Sequence, residues 1–210
     1  MAKIRSGVLG NTRGKVSGVV GSQWKDVNYL REYVKPANPN TTAQQTQRNK
    51  LSDCVEFCKT LVGPVFNTYT DRFLKSMSGF NYFIKQNIAE FDGSPVYANL
   101  KLTEGKLHVC SIVQWIYDDA EDELSCAFTK ELGNNGSLTD KCYAACIYAP
   151  TGVWYFPDAE VTRNDGSIVF DVPSGLVATS FECYIWFIKY QNTLPVMISD
   201  SKHAQSEAPA

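Results

Sequence analysis

Long apolar runs are missing from this chain. No stretch approaches the roughly 20 apolar residues of a membrane span. The basic start, with Lys3, Arg5, Arg13 and Lys15, is interrupted by glycines where a signal peptide needs an unbroken apolar segment. The expectation is a protein without signal peptide or membrane partner, placed in the cytoplasm. Histidine is scarce as well, with only His108 and His203. Neither stands in a motif with serine, cysteine or a carboxylate, so no nucleophile–base set is readable. A phosphate loop is also missing. Gly10-Asn11-Thr12-Arg13-Gly14-Lys15-Val16 has three residues between its glycines instead of four, and valine follows the lysine. These absences predict a chain that is not an enzyme and takes no cofactor.

Cysteine is present in quantity, at positions 54, 58, 110, 126, 142, 146 and 183. Seven is odd, and an oxidising compartment would leave one unpaired. Reduced thiols in a cytoplasm fit better. Cys54/Cys58 and Cys142/Cys146 share one spacing, but each pair falls inside regular structure and lacks the tight knuckle of a structural zinc site. Core packing without metal is the expected role.

Charge is distributed unevenly. Residues 1–50 carry nine Lys/Arg against two Asp/Glu, a net of +7, and the remainder carries 11 against 20, a net of −9. A basic start on an acidic body favours encounter with acidic surfaces, with copies of the same chain among them.

Three textures follow one another. Residues 1–40 read as a basic glycine-rich arm with short strands, including a hairpin turning near Gly21-Ser22. Pro36 and Pro39 extend the connector. Residues 41–92 read as helical. Thr41 with Gln44 makes a capping-box pattern, and Leu51, Val55, Cys58 and Val62 recur at helical spacing, widened by Cys54 and Leu61. Gly63-Pro64 marks an end, and further stretches run through Phe66, Tyr69, Phe73 and Met77, then Phe80, Phe83, Ile84 and Ile88. From 96 to 200 the pattern turns to strands at 107–117, 124–129, 141–149, 152–156, 167–172, 181–190 and 196–199, split by turn signals such as Asp165-Gly166. In the longest run both faces are apolar, Phe181, Cys183, Ile185 and Phe187 on one and Tyr184, Trp186 and Ile188 on the other. That strand is central, or the helices cover one of its faces. Residues 201–210 read as a disordered tail. The fold class is α+β, with a C-terminal β-sandwich of immunoglobulin-like or related type as the leading architecture and an open barrel as the alternative.

Two charged groups invite a functional reading. Asp118, Asp119, Glu121, Asp122 and Glu123 lack the spacing and glycine of a calcium loop and read as a solvated connection. In the arm, Arg13, Lys15, Lys25 and Arg31 alternate with Trp24 and Tyr29. These six are the candidate interaction residues. Docking on a protein partner or on other copies of the chain is the leading reading. Nucleic acid is the alternative, with phosphates met by the cations and bases stacked on the aromatics. A monomeric binding module that uses its sandwich loops is a further alternative.

Gly14-Lys15-Val16, Gly18, Val20-Gly21-Ser22, Trp24-Lys25, Tyr29, Arg31 and Asn38-Pro39-x-Thr41-x-Ala43-Gln44-x-x-x-Arg48 resemble the opening of a family of uncharacterised proteins from Bacteroidota, a domain of unknown function. Val172-Pro173, Tyr184-Ile185 and Ser199-Asp200-Ser201 look like that family's closing strands. Asp26 departs from the usual glycine, and the cysteine content is high for the family. Similar Asn-Pro-x-Thr-x-Ala-Gln openings occur in proteins of phage or prophage structural operons. The resemblance thus implies a virion or assembly component and carries over no catalytic residue.

Overall fold

A computed structural model describes residues 2–4, 14–25, 27–35, 37–67, 69–74, 76–111, 113–157 and 159–208. The chain divides into two units, 1–42 and 43–210.

The first unit is a four-stranded antiparallel sheet. In chain order its strands are β1 (Ala2–Ile4), β2 (Gly14–Val16), β3 (Val19–Trp24) and β4 (Val27–Glu32), and in space they run β1-β4-β3-β2. The hairpin turn predicted at Gly21-Ser22 lies instead at Ser17-Gly18, between the paired residues Val16 and Val19. Ser17 takes the left-handed conformation there (φ 53°). Gly21 sits mid-strand between Gly14 and Leu30, where the missing side chain eases close strand approach instead of making a turn.

The second unit opens with helix α1 (Thr42–Lys59). Its buried line is Cys54 and Cys58, continued by Leu61, all 0% exposed, whereas Leu51 is exposed. The apolar stripe is therefore rotated from the one that Leu51 would start, and the first turns of the helix stand in solvent. A π-helical turn at Val62–Asn67 and a 3-10 turn at Thr70–Arg72 replace the regular helix that Phe66, Tyr69 and Phe73 suggest. Pro64 has no amide hydrogen for a helical ladder, and its ring disfavours regular α-geometry just before it. Helix α2 (Gly79–Asn87) starts at the cap Ser78, whose side chain accepts from Asn81 N. Short 3-10 turns at Ile88–Glu90 and Tyr97–Asn99 flank a two-residue hairpin, β5 (Phe91–Asp92) with β6 (Ser94–Pro95).

The strand-like texture then becomes β7 (Val113–Asp118), β8 (Glu123–Phe128), β9 (Lys141–Tyr148), β10 (Val153–Tyr155), β11 (Val161–Thr162), β12 (Ser167–Asp171), β13 (Phe181–Gln191), β14 (Leu194–Ile198) and β15 (Lys202–Glu207). They form one hydrogen-bonded path, β10-β9-β13-β15-β7-β8-β12, with β11 on β9 and β14 on β13. The path curls into a nearly closed, barrel-like sheet. Trp115, Leu124, Cys126 and Phe170 on the β7-β8-β12 side share a core with Cys142, Cys146, Phe181, Cys183 and Ile185 on the β9-β13 side. The class is α+β, but the two separate sheets of a sandwich are not what forms. The joining strand is β15, antiparallel to β13 and parallel to β7. Residues 202–207 are thus ordered sheet, against the expectation of a disordered tail. Their polar composition hid them, since ladder hydrogen bonds rather than apolar side chains hold them in place.

Strand β13 is buried on both faces. Phe181, Cys183, Ile185 and Phe187 point into the barrel core. Tyr184, Trp186 and Ile188 meet Cys54, Cys58, Leu61, Phe66 and Phe83 from the helical segment. Each side chain so buried contributes roughly 1.5–3 kcal/mol. This strand accordingly couples the helical layer to the barrel.

Candidate interaction surface

The register of the first sheet sorts its residues onto two faces. Paired residues share a face and neighbours along a strand alternate. Val16, Val19, Gly21 and Leu30 fall on one side, with Glu32 paired to Val19. Lys15, Val20, Arg31, Ser22, Tyr29, Trp24 and Val27 fall on the other. The candidate residues Lys15, Trp24, Tyr29 and Arg31 thus share one basic, aromatic face, and the opposite face mixes small and aliphatic residues with the polar Gln23, Asn28 and Glu32.

Local contacts order this basic face. Lys15 Nζ stands 3.5 Å from the centre of the Tyr33 ring, and Tyr33 N donates to Gly18 O at 2.8 Å. Lys25 follows β3 in the left-handed conformation (φ 52°), and its Nζ lies 5.2 Å from the Trp24 ring centre. Such cation–π contacts are worth about 0.5–1 kcal/mol at exposed sites. Tyr33 is absent from the six residues named from sequence, although period-two alternation from Tyr29 and Arg31 reaches it. Arg13 lies outside the described residues.

The sheet buries almost nothing. Among its described residues only Gly21 is buried, while Trp24 is 68% and Val16 70% exposed. A sheet ordinarily hides at least one face against another layer, because ladder bonds alone leave a few strands marginal in water. Trp24 and Val16 lie on opposite faces, so both faces present apolar surface.

Other groups singled out from sequence have structural partners. All seven cysteines are buried and free. Burial pushes the Cys54 thiol up to about 11 and Cys58 to about 12, so neither is a reactive thiolate near neutrality. His203 belongs to β15 and pairs with Glu182 at 2.6 Å, while His108 stands 3.4 Å from Glu131. In the acidic connection, Asp119 accepts from Gly175 N at 2.6 Å and from the Tyr117 hydroxyl at 2.9 Å. That carboxylate pins the 173–176 loop. Among the described residues no group of three or more His, Cys, Asp or Glu is placed to hold a metal ion. No helix among them is long and apolar enough to cross a membrane.

No curated protein and no solved structure matches this chain. A family comparison does match, over residues 11–197, which spans most of the first sheet and nearly all of the helical and barrel segments. By that match the chain belongs to the Family of unknown function (DUF6266).

Proposed function

We propose that this protein is a non-enzymatic structural or assembly subunit of a phage or prophage virion whose N-terminal sheet docks on neighbouring subunits. The observation that carries the reading is the first sheet itself, in which Gly21 alone is buried among the described residues. Exposed Trp24 and Val16 on its two faces supply apolar area for a partner. Charge selects that partner. Residues 1–42 carry seven Lys/Arg against two Asp/Glu, a net of +5, and residues 43–210 carry 13 against 20, a net of −7. A second copy of the chain therefore offers the opposite sign, which speeds encounter and fixes orientation. The virion setting rests on the resemblance of the Asn38-Pro39-x-Thr41-x-Ala43-Gln44 opening to proteins of phage structural operons.

Lys15→Glu combined with Arg31→Glu tests the docking. Both residues are exposed, so the fold tolerates the change. Light scattering at matched concentrations should report an assembly for the parent and a smaller species for the variant. An unchanged mass distribution refutes the reading.

The alternation of Lys15, Tyr29, Arg31, Tyr33 and Trp24 on one face favours a second reading, single-stranded nucleic acid. Its signature is binding of a labelled oligonucleotide whose affinity falls steeply with salt and disappears in the same double variant. Protein docking lacks that signature.

A further inference from the structure

The second unit contains a cleft of about 520 Å³ where the outer face of β9 and β13 meets Pro64 and Arg72 on one side and Phe156, Pro157 and Glu160 on the other. That volume suits a small ligand. Tyr69, Tyr143, Trp186 and Tyr190 line it. The Tyr69 and Tyr143 ring centres are 4.3 Å apart, and the Tyr143 and Trp186 rings are nearly parallel at 6.3 Å. Protein interiors normally fill such space. Here three half-buried tyrosines border an opening instead.

Polar groups converge on the same opening. The hydroxyls of Tyr143 and Tyr190 are 2.9 Å apart. Burial, with that hydrogen bond, holds the Tyr143 phenol well above its ordinary range, and burial pushes Tyr69 up to about 12. Both therefore remain protonated donors near neutrality. Lys141 Nζ pairs with Glu160 Oε1 at 2.6 Å and lies 5.3 Å from the Tyr190 ring centre. Arg72 also lines the cleft, where it is exposed and its positive charge acts on the Tyr69 phenol. Trp186, 1% exposed, has an indole N–H without a partner among the described residues.

Each feature fits one ligand chemistry. Aromatic faces receive the C–H face of a saturated ring as well as they receive a planar one. An ammonium beside a carboxylate presents a donor and an acceptor together, which matches neighbouring hydroxyls that each donate and accept. Two phenols extend that ambivalent polar lining. Among the described residues the lining carries two cations, Lys141 and Arg72, against one carboxylate, Glu160, and a guanidinium is suited to a carboxylate. We propose that this cleft binds a carboxylate-bearing sugar ring of the uronic-acid class, with the ring on the half-buried tyrosines, its hydroxyls on Lys141, Glu160 and the phenols, and its carboxylate on Arg72. This site is independent of the N-terminal sheet and holds whether or not that sheet drives assembly.

Titration calorimetry and saturation-transfer NMR on the full chain test it, using D-glucuronate, methyl α-D-glucoside, benzoate and adenosine monophosphate as probes. Glucuronate should bind more tightly than the neutral glucoside. Arg72→Gln should weaken glucuronate about tenfold and leave the glucoside unchanged. Glu160→Gln should weaken both sugars. Glu160 and Arg72 are both exposed, so neither change threatens folding. No binding of glucuronate up to about 20 mM overturns the proposal. Binding that both variants leave intact overturns it too. Tighter binding of the planar probes than of glucuronate would assign the cleft to an aromatic ligand and overturn the sugar class.

Discussion

Arg163 offers the sharpest test of how the barrel is held together. Its side chain and that of Asp140 are both 0% exposed, with Nε 3.5 Å from Oδ2. Nη1 donates to Glu131 O at 2.6 Å and Nη2 to His108 O at 2.7 Å, so one guanidinium ties together two loops distant in sequence. Its flat face lies 3.8 Å from the Phe187 ring centre. Arg163→Met keeps much of the apolar stem and removes the charge. Asp140 then stays buried with Ser137 N as a remaining donor, at 2.7 Å, and two carbonyls lose their partner. Breaking a buried pair by removing one member costs about 3–5 kcal/mol, and we expect about 4 kcal/mol here. For a chain of this size that lowers the melting temperature by about 8–16 °C. Urea titration with a tryptophan-fluorescence readout gives the free energy directly. Adding Asp140→Leu should recover part of the loss, because no orphaned charge remains. A single-variant cost below about 1 kcal/mol would refute the reasoning, since it would mean the pair is hydrated and not buried.

Further outcomes follow from local geometry. Burial places the Cys54 thiol at about 11, Cys58 at about 12 and Cys110 at about 11, so a thiol reagent at pH 8 should modify none of the seven cysteines before denaturation and all of them after it; rapid labelling of the native protein would contradict the packing. The Gly175 N–H and the Tyr117 hydroxyl hold the Asp119 carboxyl below its usual range. A depressed folded-state value gives stability that is present above about pH 4 and lost as pH falls through the folded value, so Asp119→Asn should flatten the decline of melting temperature between about pH 5 and pH 3, and parallel curves would refute the assignment. A methyl group at Gly105 would lie 1.9 Å from Ile198 O, so Gly105→Ala should cost about 1–3 kcal/mol by calorimetry, and a neutral effect would show that the 105–107 segment sits farther from β14.

Period-two alternation carried much of the barrel. The run at 181–190 became β13 with both apolar faces buried, and Asp165-Gly166 precedes β12, with Gly166 in the left-handed conformation (φ 77°). Strand β15 was illegible because Lys202-His203-Ala204-Gln205-Ser206-Glu207 contains little that looks like a core. Its place is set by backbone pairing with β13 and β7 and by the His203–Glu182 contact, all long-range. Helical spacing found α1 but chose a line that includes Leu51, because spacing alone cannot say which stripe the barrel will cover. On the interaction surface, the cations and aromatics of the arm were legible as residue types. Their sharing of one face was not, since it depends on register. The cleft was invisible in sequence, because Tyr69, Tyr143 and Tyr190 come from three separate segments.

Docking of the N-terminal sheet of one copy on another is directly testable. Zero-length carbodiimide coupling joins a lysine amine to a carboxylate only when the two are in contact. Applied to a mixture of ordinary and nitrogen-15-labelled protein, and followed by peptide mass spectrometry, it separates links within a chain from links between chains. Docking between copies predicts mixed-isotope peptides that join Lys15 or Lys25 to Asp or Glu residues of 43–210. Links from these lysines found only within single-isotope peptides, or no links at all at concentrations where the protein is assembled, would contradict it.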